Sequence, residues 1–118
     1  MLDSKLLSIL RKLNTRERTR FKEYVASPFF NKHKGLIKLC DYLFEYAPLF
    51  NHENLSQKVA FMAIFPDEKY SEQLLYTLLS NLLELMNGFL AQIEFGNNEL
   101  AQKRLAMKAL KNRKESKH

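Results

Sequence analysis

Tryptophan is missing from this chain of 118 residues, cysteine occurs once, and glycine and proline occur three times each. So little Gly and Pro, set against abundant Leu, Lys, Glu and Ala, excludes collagen-like, linker-like and turn-dense β architectures and favours helices. The single Cys40 excludes an intrachain disulfide, and with three scattered His it makes no Cys-rich zinc site, which points to reducing cytosol. Long apolar runs are also absent. The most apolar stretch, residues 74–93, is interrupted by Asn81, Glu84, Asn87 and Gln92 and does not read as a membrane span. At the start, Asp3 precedes Lys5, and Ser8 and Arg11 break the apolar residues, so neither part of a signal peptide is present.

What is there suits one helical domain with a real core: 46% of residues are apolar and 27% charged. The net charge of +6 is unevenly placed. Residues 1–36 hold nine basic and three acidic groups, residues 37–102 three basic and nine acidic, and residues 103–118 seven basic and one acidic. Basic ends flank an acidic middle, which either neutralise one another or leave polyanion-binding ends.

Helical periodicity and stop signals predict about six helices. Ser4 caps a first helix to Leu13, with Leu6, Leu7, Ile9, Leu10 and Leu13 on one face. Thr15 caps a second over 16–26, with Phe21, Tyr24 and Val25 inward. Pro28 makes Ser27–Asn31 an extended corner whose two Phe rings need an apolar environment. Asn31 caps a third helix ending near Tyr46, with Leu36, Leu39, Cys40 and Leu43 on one side. An Asn54-Leu-Ser-Gln57 capping box opens a fourth, with Val59, Ala60, Ala63 and Ile64 inward, and Pro66 stops it. Ser71 caps the fifth, with Tyr70 placed to staple against Leu75. Leu75, Leu79, Leu82, Met86, Phe89 and Ile93 follow a 4-3 spacing along it, and Leu74, Leu78 and Leu85 thicken that stripe. This marks residues 72–95 as the central helix of a compact all-α bundle. A sixth helix begins at Asn97 or Asn98, giving a single domain over 1–110 with a frayed basic tail over 111–118.

Two segments carry a resemblance. Phe21-Lys-Glu-Tyr-Val-Ala-Ser-Pro-Phe-Phe-Asn31, and Phe65-Pro-Asp-Glu-Lys-Tyr70 leading into Leu75, Leu79-Ser80, Leu82, Leu85 and Phe89-Leu90, are similar to the opening segment of an uncharacterised all-helical family of bacterial proteins. The likeness spans roughly residues 1–110. It implies a helical fold continuing through further helices in longer members, and it implies no activity. Asp67 departs from the Gly common at that place in the family, which bears on the turn geometry.

Catalytic and cofactor motifs do not occur. There is no Gly-x-Gly, phosphate-binding lysine loop, nucleophile elbow, His-Glu-x-x-His or Cys-x-x-Cys, and Gly35, Gly88 and Gly96 are isolated. Cys40 with His33 or His52 is a conceivable nucleophile and base, but Cys40 lies on an apolar stripe. Asp41 and Glu45, one turn apart, suit either a divalent ion or solvent. Glu84 in the long helix faces either its polar side or a basic partner. The expectation is therefore a non-enzyme with no cofactor, metal or small-molecule ligand.

Two surfaces suggest partners. Arg11, Lys12, Arg16, Arg18, Arg20 and Lys22 place six cations in twelve residues against Glu17 alone, a source of phosphate contacts with nucleic acid. The fourth and fifth helices have a helix-turn-helix outline, yet no basic residue lies between Lys69 and Lys103, so base reading by the fifth is not expected. For protein partners the candidates are Phe61, which falls off its helix's apolar face, and Leu105. The latter points away from the side formed by Leu100, Ala106, Met107 and Leu110, toward another copy, a downstream segment or a separate protein. A helical protein-interaction module is the leading expectation; phosphate contact through the basic ends is the alternative.

Overall fold

The computed structural model describes residues 2, 4–96 and 99–115, with backbone alone at 4, 99–101 and 112–115. Every regular element among them is helical: α1 Ser4–Lys12, α2 Thr15–Ala26, α3 Lys34–Phe44, a 3₁₀ turn Glu53–Leu55, α4 Gln57–Ile64, α5 Glu72–Gly96 and α6 Glu99–Glu115. This is the expected all-α bundle with one long helix. The chain divides into two compact units, Met1–Met86 and Asn87–His118, with the boundary inside α5.

In the first unit α1 buries Leu6, Leu7 and Leu10, with Leu13 just beyond its end. The next cap falls one residue earlier than expected. Asn14, not Thr15, starts α2: its Oδ1 accepts the Glu17 N–H at 2.8 Å, and Glu17 Oε1 accepts the Asn14 N–H at 2.9 Å. Glu17 lies three residues after Asn14 and closes this box, whereas the corresponding position after Thr15 is Arg18, which has no acceptor to return. Phe21 and Val25 then turn inward, and α2 packs on α3.

The Ser27–Asn31 corner is a tight turn, not an extended segment. The N–H groups of Phe30 and Asn31 both donate to Ser27 O, at 3.1 and 2.9 Å. Asn31 is not the cap of α3. Buried, it donates from Nδ2 to Val25 O at 2.8 Å and to His33 O at 3.2 Å, and accepts the His33 N–H at Oδ1 at 3.0 Å. Its side chain thus satisfies three backbone groups that the turn leaves orphaned. The cap of α3 is His33, whose Nδ1 accepts the Gly35 N–H at 3.0 Å.

Leu36, Leu39, Cys40 and Leu43 are buried as their spacing predicts. Gly35 leaves room for the His33 cap: a Cβ there would lie only 2.8 Å from the His33 ring, while Leu78 Cδ2 of α5, at 3.5 Å, would be in ordinary contact. The helix ends at Phe44, two residues short of expectation, and residues 45–50 form turns with a cis Ala47–Pro48 peptide. The fourth helix also starts later than expected. Asn54 lies in the 3₁₀ turn, its N–H donating to His52 Nδ1 at 3.0 Å, and Ser56 precedes α4 without a side-chain cap bond.

Along α5, Ser71 caps as predicted, its Oγ accepting the Leu74 N–H at 3.2 Å. Leu75, Leu78, Leu79, Leu82 and Met86 are buried, the pattern of a core helix. By length and composition α5 is also the one described helix able to cross a membrane, at mean hydropathy 1.3. In the second unit, Gln102 Nε2 donates to Phe95 O at 2.9 Å and Gly96 O at 3.0 Å, meeting carbonyls left open at the end of α5. The expected start at Asn97 or Asn98 lies outside the described residues, and α6 stays helical to Glu115, past the expected fraying at Lys111. Ala106, Met107 and Leu110, expected to cover the bundle, are exposed; the Leu100 side chain lies outside the described residues.

Candidate interaction surface

The locked corner presents aromatic surface to solvent. Phe29 at its tip is 87% exposed, contrary to the expectation that both rings would be sheltered. Phe30 is stacked on Tyr24, with centroids 4.3 Å apart and planes 17° from parallel, and Phe29 meets Phe30 edge-on at 4.9 Å. Two hydrogen bonds to Ser27 O and three from Asn31 fix the backbone that holds these rings. Fixing it leaves Phe29 no apolar cover of its own, a poor use of a large side chain for stability.

Beside the rings runs an open groove of about 590 Å³, bounded by Tyr24, Phe30 and Leu36 on one side and by Asn81, Glu84 and Leu85 of α5 on the other. Lys32 and Glu84 are both exposed along it and make no ion pair among the described residues. Glu84 therefore takes the polar side of its helix. A second hollow of about 380 Å³ lies between the start of α4 and α5, against Leu75, Tyr76 and Leu79.

Phe61 does not belong to any surface. It is fully buried, edge-on to Tyr70 at 5.3 Å and tilted against Phe65 at 5.3 Å. The inward face of α4 is Ala60, Phe61 and Ile64, while Val59 and Ala63 are exposed, so the helix is rotated from the expected orientation. In eight residues the large ring, not the smaller Val and Ala, decides which side turns in. Leu105 is exposed as expected, at 54%, in company with Met107 and Leu110.

The basic segment divides into two sets. Arg11 donates from Nε to Leu49 O at 2.8 Å and from Nη2 to Phe50 O at 2.9 Å. Arg18 donates from Nη1 to Leu13 O at 2.6 Å and from Nη2 to Thr15 Oγ1 at 3.2 Å. Lys22 lies 4.0 Å from Asp41 and 5.8 Å above the Phe44 ring centre. These three are engaged by the fold. Lys12, Arg16 and Arg20 are exposed and outside those contacts, so half of the predicted phosphate-contact set remains on offer.

The conceivable catalytic groups are otherwise occupied. Cys40 is buried, and desolvation, with the nearby Asp41 charge, pushes its thiol up to about 12, far from a thiolate at neutral pH. His33 and His52 both use Nδ1 to cap backbone N–H groups. Asp41 faces Lys22, and among the described residues no three His, Cys, Asp or Glu side chains gather where a metal ion could sit. Sequence reasoning expected apolar cover for Phe29, which is exposed, and missed the locking role of Asn31. The Ser-Pro dipeptide followed by Asn was the available signal, since both favour turns.

Comparison with known proteins finds no matching family model, curated protein or solved structure.

Proposed function

We propose that this chain is a non-enzymatic helical module that binds another protein, through the aromatic corner at Phe29 and Phe30 and the groove beside it. The observation that carries this reading is the 87% exposure of Phe29 on a backbone fixed by five hydrogen bonds. A rigid, solvent-facing aromatic is the residue type that anchors protein interfaces, because it buries much area at little entropic cost. The same corner carries the resemblance to the uncharacterised helical family, and a free buried thiol at Cys40 suits a reducing compartment such as the cytosol.

The alternative, phosphate contact by a nucleic-acid-associated protein, draws on the exposed Lys12, Arg16 and Arg20. Three cations without base-reading partners support weak, sequence-indifferent, salt-sensitive binding. Photo-crosslinking in the native cell separates the readings, with a benzophenone amino acid at position 29 or position 16. Covalent protein adducts from position 29 are expected. Nucleic-acid adducts from position 16, with none to protein from position 29, would overturn the first reading in favour of the second.

A further inference from the structure

We propose that the partner at the aromatic corner is a second copy of this chain, the two copies pairing about a two-fold axis with Phe29 of each seated in the groove of the other. This rests on the reading of the chain as a protein-interaction module and names the occupant.

Plug and socket lie side by side. Phe29 protrudes from the turn, and the next residue, Phe30, is itself a wall of the groove. A single axis near the corner therefore brings both plug-and-socket contacts into one interface, as an isologous pair requires. The socket is open rather than enclosed, so it suits a protruding side chain better than a small molecule that must be surrounded. At about 590 Å³ it has room for a phenyl ring and part of the Pro28 ring. Its aromatic wall, Tyr24 and Phe30 held stacked on one another, gives an incoming ring an apolar surface to pack against.

Charge complementarity selects a second copy over an unrelated protein. The groove carries one exposed lysine, Lys32, and one exposed carboxylate, Glu84, neither paired with another described residue, while the His33 beside them holds its Nδ1 on the Gly35 N–H. A surface bearing one charge of each sign is its own complement under a two-fold axis, with Lys32 of each copy set against Glu84 of the other. A contact made of one corner and one groove lies at the small end of the range for specific interfaces, below about 1,200 Å² in total, so pairing is weak and concentration-dependent.

Sedimentation equilibrium on the purified chain tests this. The mass should rise from that of the 13.9 kDa chain toward twice that value as concentration increases. Phe29→Asp should abolish the rise with an unchanged melting temperature, since the ring contributes little to the isolated fold. Lys32→Glu and Glu84→Lys should each weaken pairing by roughly tenfold or more, and the double exchange should restore it. A wild-type chain that stays monomeric throughout, a Phe29→Asp variant that pairs like wild type, or a double exchange no better than either single one would overturn the proposal. The crosslinks from position 29 keep the two readings apart: adducts to a different protein refute the second copy and leave the interaction module standing, whereas no protein adduct refutes both.

Discussion

The guanidinium of Arg11 on α1 holds the carbonyl of Phe50, 39 residues away, at 2.9 Å, and that of Leu49 at 2.8 Å. Phe50 is the one non-glycine among the described residues with a positive φ, at 48°, and its ring is fully buried, edge-on to Phe44 at 5.6 Å. A phenylalanine in the left-handed region costs about 1–2 kcal/mol, a cost offset here by ring burial and by the two charged hydrogen bonds to the turn. A residue that reads in sequence as part of a polyanion site is thus a clamp on the turn after α3.

It follows that Arg11→Ala should lower stability by about 1–2 kcal/mol, the worth of two charge-assisted bonds discounted for partial exposure. Arg16→Ala and Arg20→Ala should each stay within about 0.5 kcal/mol of wild type. Urea titration of the three variants separates clamp from surface charge; equal effects would remove the distinction.

Phe61→Ala and Leu82→Ala should both unfold the domain at much lower denaturant. Each side chain is fully buried. Expected losses are about 3–5 kcal/mol for the ring and about 2–5 for the leucine, a large part of the stability of a domain this size. A loss under about 1 kcal/mol at Phe61 would return it to the surface.

The thiol gives a pH signature. Its ordinary value is 9.0 and burial raises it to about 12 in the folded chain. Above pH 9 the unfolded chain has released this proton while the native chain keeps it, so the unfolded state binds fewer protons and stability falls as pH rises from 9 toward 12. Below 9 both states hold the proton and Cys40 adds no slope. Reaction with a chromogenic disulfide at pH 8 should therefore proceed only at the rate of opening, and Cys40→Ala should make the alkaline limb of the stability curve shallower, leaving the share of Tyr42, whose hydroxyl is also pushed up by burial to about 12.

Asn31 offers a test of the corner. Both contacts of its Nδ2 are donations to carbonyl oxygens, so Asn31→Asp keeps the shape while turning two attractions into repulsions. The loss at pH 7 should reach about 2–4 kcal/mol and should shrink on acidification, when a protonated carboxyl can donate once. A pH-independent deficit between 7 and 4 would show that the amide hydrogen bonds are not what holds the turn.

Which parts of this fold were legible follows from what each signal encodes. Burial along α3 and α5 repeats every three to four residues over several turns, and Leu36, Leu39, Leu43, Leu75, Leu79 and Leu82 all face inward as their spacing predicts. Caps are less readable because neighbouring short polar residues compete. Asn14 prevails over Thr15 through Glu17, and His33 takes the cap that Asn31 leaves when it turns to the Val25 carbonyl. The face of α4 spans too few residues to average out one misplaced ring, hence Phe61. At the surface, the six cations of residues 11–22 look alike in sequence. Arg11 finds its acceptors in a turn formed almost forty residues later, which no local pattern announces.

Leu105 is the place where exposure and apolarity on α6 can be tested directly. It is 54% exposed, and Met107 and Leu110 on the same helix are more exposed still, among the basic residues Lys103, Arg104, Lys108 and Lys111. Isolated surface leucines are common, but three large apolar side chains within six residues make more open apolar surface than a helix needs for its own stability. Replacing one already exposed leucine by glutamate removes little burial, so Leu105→Glu should change the melting temperature by less than about 2 °C. If the Leu105 side meets a partner, the same substitution should lower the light-scattering mass of concentrated samples or abolish crosslinks from position 109, one turn along the same side of α6, with the Phe29 variants as the control for the corner. Unfolding by Leu105→Glu would place the side chain in a core and reverse the orientation of α6. A variant that keeps its stability and scatters like wild type would confine self-association to the corner at Phe29.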